Sequence, residues 1–98
     1  MAMGLILEFD GVGVAQYDAV NRELGLDART GAGDWPEGLL SHAGGAKQGG
    51  WVVLEVWDSQ DAQARFMDER LAAALAAGGI EGPPSRVEWL ELAGYTVP

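Results

Sequence analysis

The chain has 98 residues, no cysteine and one histidine, and its 15 acidic and 6 basic side chains give a net charge of −9 at pH 7. This length fits a single domain, residues 1–98. Without cysteine, disulfides, thiol catalysis and iron–sulfur clusters are excluded. The charge argues against nucleic acid as a partner, because phosphate neutralisation by Lys and Arg dominates such binding, and it argues equally against an anionic membrane surface.

The first residues do not resemble a targeting segment. They lack a basic region and carry Glu8 and Asp10 within the first ten positions, so no signal peptide is predicted. No apolar run approaches the ~20 residues that are needed to cross a bilayer. We therefore expect a cytoplasmic protein.

The first half of the chain predicts a strand, a helix, a loop and a second strand. Met3–Phe9 is an aliphatic run that is typical of a buried strand. Val14–Leu24 places its apolar residues three and four positions apart, which predicts a helix that ends at Gly25. A polar, glycine-containing loop, 27–35, leads to a short strand at 38–43.

The second half of the chain predicts a strand, a helix and a final strand, which follow a glycine-rich turn at 44–50. Trp51–Trp57 is the clearest strand, because it is aromatic and β-branched over seven residues. A helix follows, capped by Asp58 or Ser59 and ended by two glycines at 78 and 79. Residues 86–95 predict the last strand.

This β-α-β-β-α-β order predicts an α+β, ferredoxin-like fold, in which two helices cover one face of a four-stranded antiparallel sheet. Val52, Leu54 and Val56 should share one face of the third strand, opposite the tryptophans. The strands are apolar on both faces, and a sheet with helices on one face would leave the other face bare. We therefore predict a homodimer that forms through the sheet faces.

Three segments carry a family resemblance: YDAVNRELGL, PEGLLSHAGG and GGWVVLEVWDSQDAQARFMDERL. They resemble small antibiotic-biosynthesis-monooxygenase-like proteins of the dimeric α+β-barrel superfamily, in particular an uncharacterised actinobacterial branch. The resemblance implies a dimeric barrel with a pocket between sheet and helices in each subunit. Members oxidise aromatic polyketides with O₂ and no cofactor, degrade haem, or act as isomerases, and many have no known activity.

The resemblance implies pocket roles for two residues, and a departure from it argues against one activity of the family. Trp57 matches the pocket tryptophan at the end of the third strand, and Asn21 matches more loosely a polar helix residue of such pockets. Haem-degrading members carry a ligand histidine in the second helix, where this chain reads Arg65, Phe66 and Met67. Haem degradation is therefore not expected.

His42 is the candidate catalytic residue. A neutral imidazole can take a proton at neutral pH, and cofactor-free oxygenation needs a base that makes an electron-rich substrate anion. The alternative is a half-exposed histidine at the end of a strand that only bonds to backbone. Sequence alone does not fix the face of the second strand on which His42 lies, since the register across the glycine turn is open.

The candidate substrate-binding residues come from three elements, the first helix, the third strand and the second helix. Tyr17 and Asn21 lie one helical turn apart and can reach the same space. Glu55 interrupts an apolar strand and needs a partner or a pocket. The full set is Tyr17, Asn21, Glu55, Trp57, Phe66 and Met67, and core packing is the alternative for its apolar members. Trp51 is expected at the strand start, near the surface.

Several other chemistries are disfavoured. One histidine without cysteine cannot build a zinc site, and no metal or cofactor is expected. Ser41 and His42 are strand neighbours that point to opposite faces, so they cannot form a triad. The segment 10–16 lacks the third glycine of a dinucleotide-binding turn.

The sequence thus favours a cofactor-independent monooxygenase-like enzyme, with His42 as base, acting on an apolar aromatic or polyketide-like molecule. Two alternatives stay open. One is a small-molecule-binding or structural dimer without turnover. The other is an isomerase or cyclase that uses the same pocket without O₂.

Overall fold

The computed structural model describes residues 2–98, which build one antiparallel sheet with helices packed on one face. Its strands follow the order β2-β3-β1-β4, and both central strands pair antiparallel with their neighbours. The predicted ferredoxin-like fold is confirmed. The elements are β1 (Met3–Asp10), α1 (Val14–Leu24), β2 (Leu39–Lys47), β3 (Gly50–Trp57), α2 (Gln60–Phe66), a π-helical segment (Met67–Leu71), α3 (Ala72–Ala77) and β4 (Arg86–Glu91).

The two faces of β3 differ as the alternation predicts. Trp51, Val53 and Trp57 are buried against the helices, whereas the side chain of Leu54 on the other face is half exposed. The expectation that Trp51 lies near the surface is wrong, because only 7% of it is exposed. Its partner across the sheet is Phe9, and the ring of Tyr17 covers it at 4.8 Å between centroids.

β2 extends further than predicted. It continues through the glycines to Lys47, so that the hairpin turn shrinks to two residues, Gln48 and Gly49. Gly49 takes a φ of 77°, which suits a tight hairpin turn. The glycines at 44 and 45 remain in the ladder because their backbone pairs with β3, and pairing needs no side chain. The prediction of a seven-residue turn was therefore wrong.

A β-bulge at Leu40 interrupts the β2–β3 ladder, between Leu39 and Ser41. The extra residue lets Leu39 pair with Trp57 while His42 pairs with Glu55. Directly opposed residues of an antiparallel pair lie on the same face. Leu39 and His42 therefore both lie on the helix-covered face, although they are three positions apart.

The second helical region runs without a break over residues 60–77 and contains a π-helical segment that periodicity did not predict. Ser59 caps it, since its Oγ accepts the Ala62 amide at 3.1 Å, as the sequence suggested. The segment inserts one residue into the helix. Phe66 and Leu71, five positions apart, consequently both line the same cavity.

The last strand is shorter than predicted and ends at Glu91 rather than Tyr95. The sheet face away from the helices carries apolar side chains in the open, with Leu54 at 50% and Leu90 at 39% exposure. Among residues 2–98, no helix is both long and apolar enough to pass through a bilayer.

Candidate functional site

Four side chains join in one line of hydrogen bonds on the helix-covered face of the sheet. The Tyr17 hydroxyl lies 2.5 Å from His42 Nε2, and His42 Nδ1 lies 2.8 Å from Glu55 Oε2. The indole N–H of Trp57 donates to Glu55 Oε1 at 3.0 Å. We call these residues, Tyr17, His42, Glu55 and Trp57, the quartet.

The chemistry of the quartet assigns its protons. An ionised Glu55 only accepts hydrogen bonds, so His42 Nδ1 carries a hydrogen and donates it to the carboxylate. In the neutral imidazole, Nε2 then holds the free lone pair and accepts from the Tyr17 hydroxyl. The arrangement resembles a catalytic triad, in which a hydroxyl bonds to a histidine base and a carboxylate fixes the tautomer of that base.

The quartet is mostly shielded from water. Only 11% of the His42 side chain and 9% of the Glu55 side chain are exposed to solvent, and Trp57 is fully buried. A carboxylate at such depth requires hydrogen-bond partners. Glu55 has two of them, one on each oxygen, which explains how an acidic residue persists inside an apolar strand.

Gly44 makes room for Tyr17. A Cβ at this position would lie 2.7 Å from Tyr17 Cζ and 2.8 Å from its hydroxyl oxygen, closer than side chains approach. The tyrosine ring therefore lies against bare backbone two residues from His42, with its plane within 2° of the imidazole plane. The glycine is part of the site through this close approach.

Burial raises the pKa of Tyr17 above its ordinary value of 10, while the nearby Asn21 amide lowers it and the Glu55 charge raises it further. A raised pKa means that the folded protein holds the proton longer than the unfolded chain. Tyr17 is consequently a neutral hydroxyl donor at neutral pH.

We expect this shift to appear in a tyrosinate absorbance titration. The difference between wild type and Tyr17→Phe should show one tyrosine that ionises above pH 10, and the free energy of unfolding should fall as the pH rises through that value. The sign follows from the folded state binding the proton more tightly. A difference curve centred at or below pH 10 would contradict the buried, hydrogen-bonded position of Tyr17.

An apolar cavity of about 60 Å³ lies between the sheet and the helices, and the quartet contributes its polar edge. Tyr17, His42 and Glu55 border it, together with Asn21 and Phe66. Ligand pockets typically measure ~300–1,000 Å³, so this cavity holds a diatomic molecule or a few waters rather than a ring system.

A second, larger space shares Tyr17, His42 and Trp51 with this cavity. This cleft of about 300 Å³ is bordered by Tyr17, His42, Gly44, Trp51 and Arg29. Arg29 is tied to Asp18 at 2.9 Å. The cleft has the size of a small-ligand site, and the same two polar side chains border both spaces.

The structure places most, though not all, of the sequence-predicted residues at the cavity. The residues that line it are Tyr17, Asn21, His42, Glu55 and Phe66. Trp57 does not line it and reaches the site only through its bond to Glu55. Met67 lies on the π-helical segment outside the lining, because the inserted residue turns Phe66 and Leu71 inward instead.

Three residues at the site were not predicted. The Trp35 ring, held by its N–H bond to the Gly31 carbonyl at 3.0 Å, lies 5.4 Å from the His42 ring. Trp51 borders both spaces, and Arg29 borders the cleft. A tryptophan inside a glycine-rich loop was the available signal for Trp35, since such a loop offers little other reason for a large aromatic side chain.

Within residues 2–98, no three acidic or histidine side chains come together in a way that could hold a metal ion. The polar atoms of the site are instead engaged with one another through the quartet.

Comparison with solved structures gives full-length matches. A protein from Chloroflexus aurantiacus, provisionally described as an antibiotic biosynthesis monooxygenase, superposes with a TM-score of 0.64 at 17% identity over 100% of both chains. This chain has the ferredoxin-like fold of antibiotic biosynthesis monooxygenase-like proteins. The resemblance inferred from the sequence is confirmed at the level of fold.

Two further structures match over nearly the whole chain. NE2512 from Nitrosomonas europaea, of unknown function, has a TM-score of 0.62 at 22% identity and covers 99% of this chain and 92% of its own. SnoaB from Streptomyces nogalater, a cofactor-independent oxygenase, has a TM-score of 0.57 at 21% identity, with 99% and 97% covered. No protein-family profile and no curated protein sequence matches this chain.

Proposed function

We propose that this protein is a cofactor-independent monooxygenase-like enzyme that oxidises an aromatic hydroxy or keto compound with O₂. The observation that carries the proposal is the quartet, which presents an oriented base, His42, behind a neutral hydroxyl donor, Tyr17. The structural likeness to SnoaB, itself a cofactor-independent oxygenase, supports the same class of reaction.

The residues of the site suit the proton transfers that this reaction needs. The substrate occupies the cleft, which has about five times the volume of the apolar cavity. Tyr17 takes a proton from the substrate while its own proton passes to His42 Nε2, and Glu55 stabilises the imidazolium that forms. The product of this step is an electron-rich substrate anion beside an apolar cavity large enough for O₂.

The oxidation then balances without a cofactor. With anthrone as substrate, the carbanion gives one electron to O₂, and the resulting radical pair joins to form a carbon–oxygen bond. The peroxide anion recovers the proton from His42. Loss of the remaining C–H proton and cleavage of the O–O bond release water and leave anthraquinone, so that one O₂ oxidises one anthrone.

The test is aerobic incubation with anthrone, following anthraquinone by absorbance and O₂ with an electrode. We expect equimolar consumption of O₂ and formation of anthraquinone well above the buffer rate. A second arm under nitrogen separates the isomerase or cyclase alternative, since such an enzyme would need no O₂. A rate equal to that of heat-denatured protein in the aerobic arm would contradict the proposal.

A second candidate function is binding without turnover. It is favoured by the internal completeness of the quartet, in which both nitrogens of His42 already have partners. A binder would retain a ligand in the cleft and protect it from O₂. Saturable binding of anthrone under nitrogen, with no product after air is admitted, would establish this alternative.

We also propose that a second copy of the chain covers the bare face of the sheet. The face is apolar in its middle, where Leu54 and Leu90 are exposed. Its charged end is partly neutralised, because Lys47 pairs with Glu8 and Asp10 and Arg86 pairs with Glu8 and Glu88, so that three carboxylates face two cations. A copy of this chain can therefore approach the face in spite of the high net charge.

We expect Leu54→Glu to abolish this association. Leu54 is already half exposed, so the substitution should leave the fold intact while placing a desolvated charge in the interface. Val14 on α1 is equally exposed at 50%, and Val14→Glu is the matched control. Light scattering after gel filtration should give twice the chain mass of 10.3 kDa for wild type and control, and a single chain mass for Leu54→Glu. A wild-type mass of one chain would exclude the dimer.

A further inference from the structure

The two tyrosines of the chain, Tyr17 and Tyr95, differ in the group that accepts the hydrogen bond of their hydroxyl. The Tyr17 hydroxyl lies 2.5 Å from His42 Nε2, a ring nitrogen that can take up a whole proton. The Tyr95 hydroxyl donates to the backbone carbonyl of Leu40 at 3.3 Å, and a carbonyl oxygen accepts a hydrogen bond without becoming protonated at neutral pH. Of the two, Tyr17 is the one with a base in place to receive its proton.

This difference decides how easily each tyrosine loses an electron. A phenol that loses one electron becomes a radical cation, which is a strong acid, so the oxidation is easy only when the phenolic proton leaves at the same time. The imidazole of His42 can receive that proton across the existing hydrogen bond. Glu55, bonded to His42 Nδ1 at 2.8 Å, stabilises the imidazolium that results. Tyr17 therefore meets the chemical requirement for a redox-active tyrosine.

The neighbouring tryptophan, Trp51, is a poor place for the oxidation to remain. An oxidised indole must release its N–H proton to become a neutral radical. The Trp51 N–H is sealed from solvent and, among residues 2–98, is the buried side-chain donor that has no acceptor. Its ring lies 4.8 Å from the Tyr17 ring, which is close enough for an electron to pass between them. An oxidation that begins on Trp51 is therefore expected to end on Tyr17, where the proton can leave.

We propose that Tyr17 is a redox-active residue, which reduces an organic peroxyl radical in the cleft by one electron while its phenolic proton passes to His42 Nε2. Tyr17 borders the cleft, which measures about 300 Å³ and has a second aromatic ring, that of Trp51, in its wall. A neutral peroxyl radical fits this space, whereas the net charge of −9 opposes an anionic oxidant such as superoxide. This activity is separate from the proposed oxygenation and needs no substrate anion.

Electrons and protons balance in this step. The peroxyl radical gains one electron and becomes a peroxide anion, while the O–H bond of Tyr17 breaks and an N–H bond forms at His42 Nε2. The peroxide anion takes a proton from the buffer and leaves as a hydroperoxide. A soluble enediol such as ascorbate then gives one electron to the Tyr17 radical, which recovers its proton from His42, and the enediol releases a proton to the buffer. The net reaction transfers one hydrogen atom from the enediol to the peroxyl radical.

The test uses a photo-oxidised ruthenium tris-bipyridine complex as the one-electron oxidant, without substrate and under nitrogen. Electron paramagnetic resonance of samples frozen after the flash detects the radical, and ring-deuterated tyrosine assigns it, because deuteration narrows the signal of a tyrosyl radical. Tyr17→Phe and Tyr95→Phe are the matched variants. We expect the tyrosyl signal in wild type and in Tyr95→Phe, and its loss in Tyr17→Phe. Exposure alone predicts the reverse, since Tyr95 is 37% exposed and Tyr17 is less exposed.

His42→Gln separates proton uptake from packing. The glutamine amide can still bond to the Tyr17 hydroxyl, but it cannot take up the proton. Transient absorbance should therefore show that the tyrosyl radical forms about 10²–10⁴-fold more slowly, the usual contribution of a positioned base. If His42→Gln does not fold, the rate in Tyr95→Phe is compared between H₂O and D₂O. A slower rate in D₂O is expected, because the proton moves together with the electron, and equal rates would contradict the coupling.

Peroxyl radicals from a water-soluble azo initiator in air test the class of oxidant. Tyr95→Phe frozen during this exposure should show the same Tyr17 signal. A signal that persists in Tyr17→Phe and disappears in Tyr95→Phe would overturn the proposal, as would an unchanged rate in His42→Gln. A Tyr17 radical that forms with ruthenium but not with peroxyl radicals would overturn the assigned oxidant. Since anthrone is absent throughout, these results do not depend on whether the protein is an oxygenase.

Discussion

His42→Gln is expected to lower the rate of anthrone oxidation about 10²–10⁴-fold, the usual contribution of a positioned general base. Glutamine fills similar space and can still bond to Glu55, but it cannot accept the substrate proton. His42→Ala should lose as much. Initial rates under saturating O₂, measured with anthraquinone as the product, are the readout.

Glu55→Gln provides the companion variant. Glutamine keeps the shape of the side chain but removes the charge that fixes the His42 tautomer and stabilises the imidazolium. We expect a loss comparable in size to that of His42→Gln, and the double variant should be little worse than either single one, because residues that act as a unit are non-additive.

Val20→Ala is the control for general disturbance of the cavity wall. Val20 is buried and lines the cavity, but it is apolar and stands outside the quartet, so its replacement should cost much less than either quartet variant. Wild-type rates in both His42 variants would remove the base from the mechanism, even if the protein proved to be an oxygenase.

The second large effect concerns stability. Trp57→Ala is expected to lower the free energy of unfolding by about 3–5 kcal/mol, the range for truncating a large buried aromatic residue. Trp57 has no exposed surface and packs against Phe66 with 5.9 Å between ring centroids. Its loss also leaves one oxygen of the buried Glu55 carboxylate without a partner, which adds to the cost of the cavity.

Urea denaturation monitored by circular dichroism measures this change. Domains of this size have about 5–15 kcal/mol of stability, so the substitution should remove a large share of it and lower the urea midpoint of unfolding. Trp35→Ala is the matched control, because Trp35 is only partly buried and lies in a loop. If Trp57→Ala lowered the free energy of unfolding no more than Trp35→Ala does, the buried packing of Trp57 would be contradicted.

The order of the elements was predictable from sequence because the pattern that indicates each strand or helix is formed by residues close together in the chain. The period-two pattern of β3 and the three-to-four spacing of α1 are properties of neighbouring residues. The extent of β2 was not predictable, since glycines at 44 and 45 read as a turn. Both remain in the strand because their backbone pairs with β3, and the ring of Tyr17, far away in sequence, occupies the space above Gly44.

The sequence indicated which residues form the site, but it did not indicate the hydrogen bonds between them. Glu55 was singled out because a carboxylate in an apolar strand requires a partner, and His42 because it is the lone histidine. That the two are bonded depends on the register of the β2–β3 hairpin, which the two-residue turn fixes. Trp51 was misplaced because a position at the start of a strand suggests exposure, whereas pairing with Phe9 buries it.

The hairpin and the bulge together give β2 two ends with very different tolerance to insertion and deletion. Counting from the turn at Gly49, the register sets His42 opposite Glu55. One residue added or lost between His42 and Gly49 would turn the imidazole to the bare face. Upstream of the bulge at Leu40, the ladder already absorbs an extra residue, so changes of length in the loop before β2 would leave the imidazole in place. Related chains should therefore vary in length before this strand and hold a constant spacing after it.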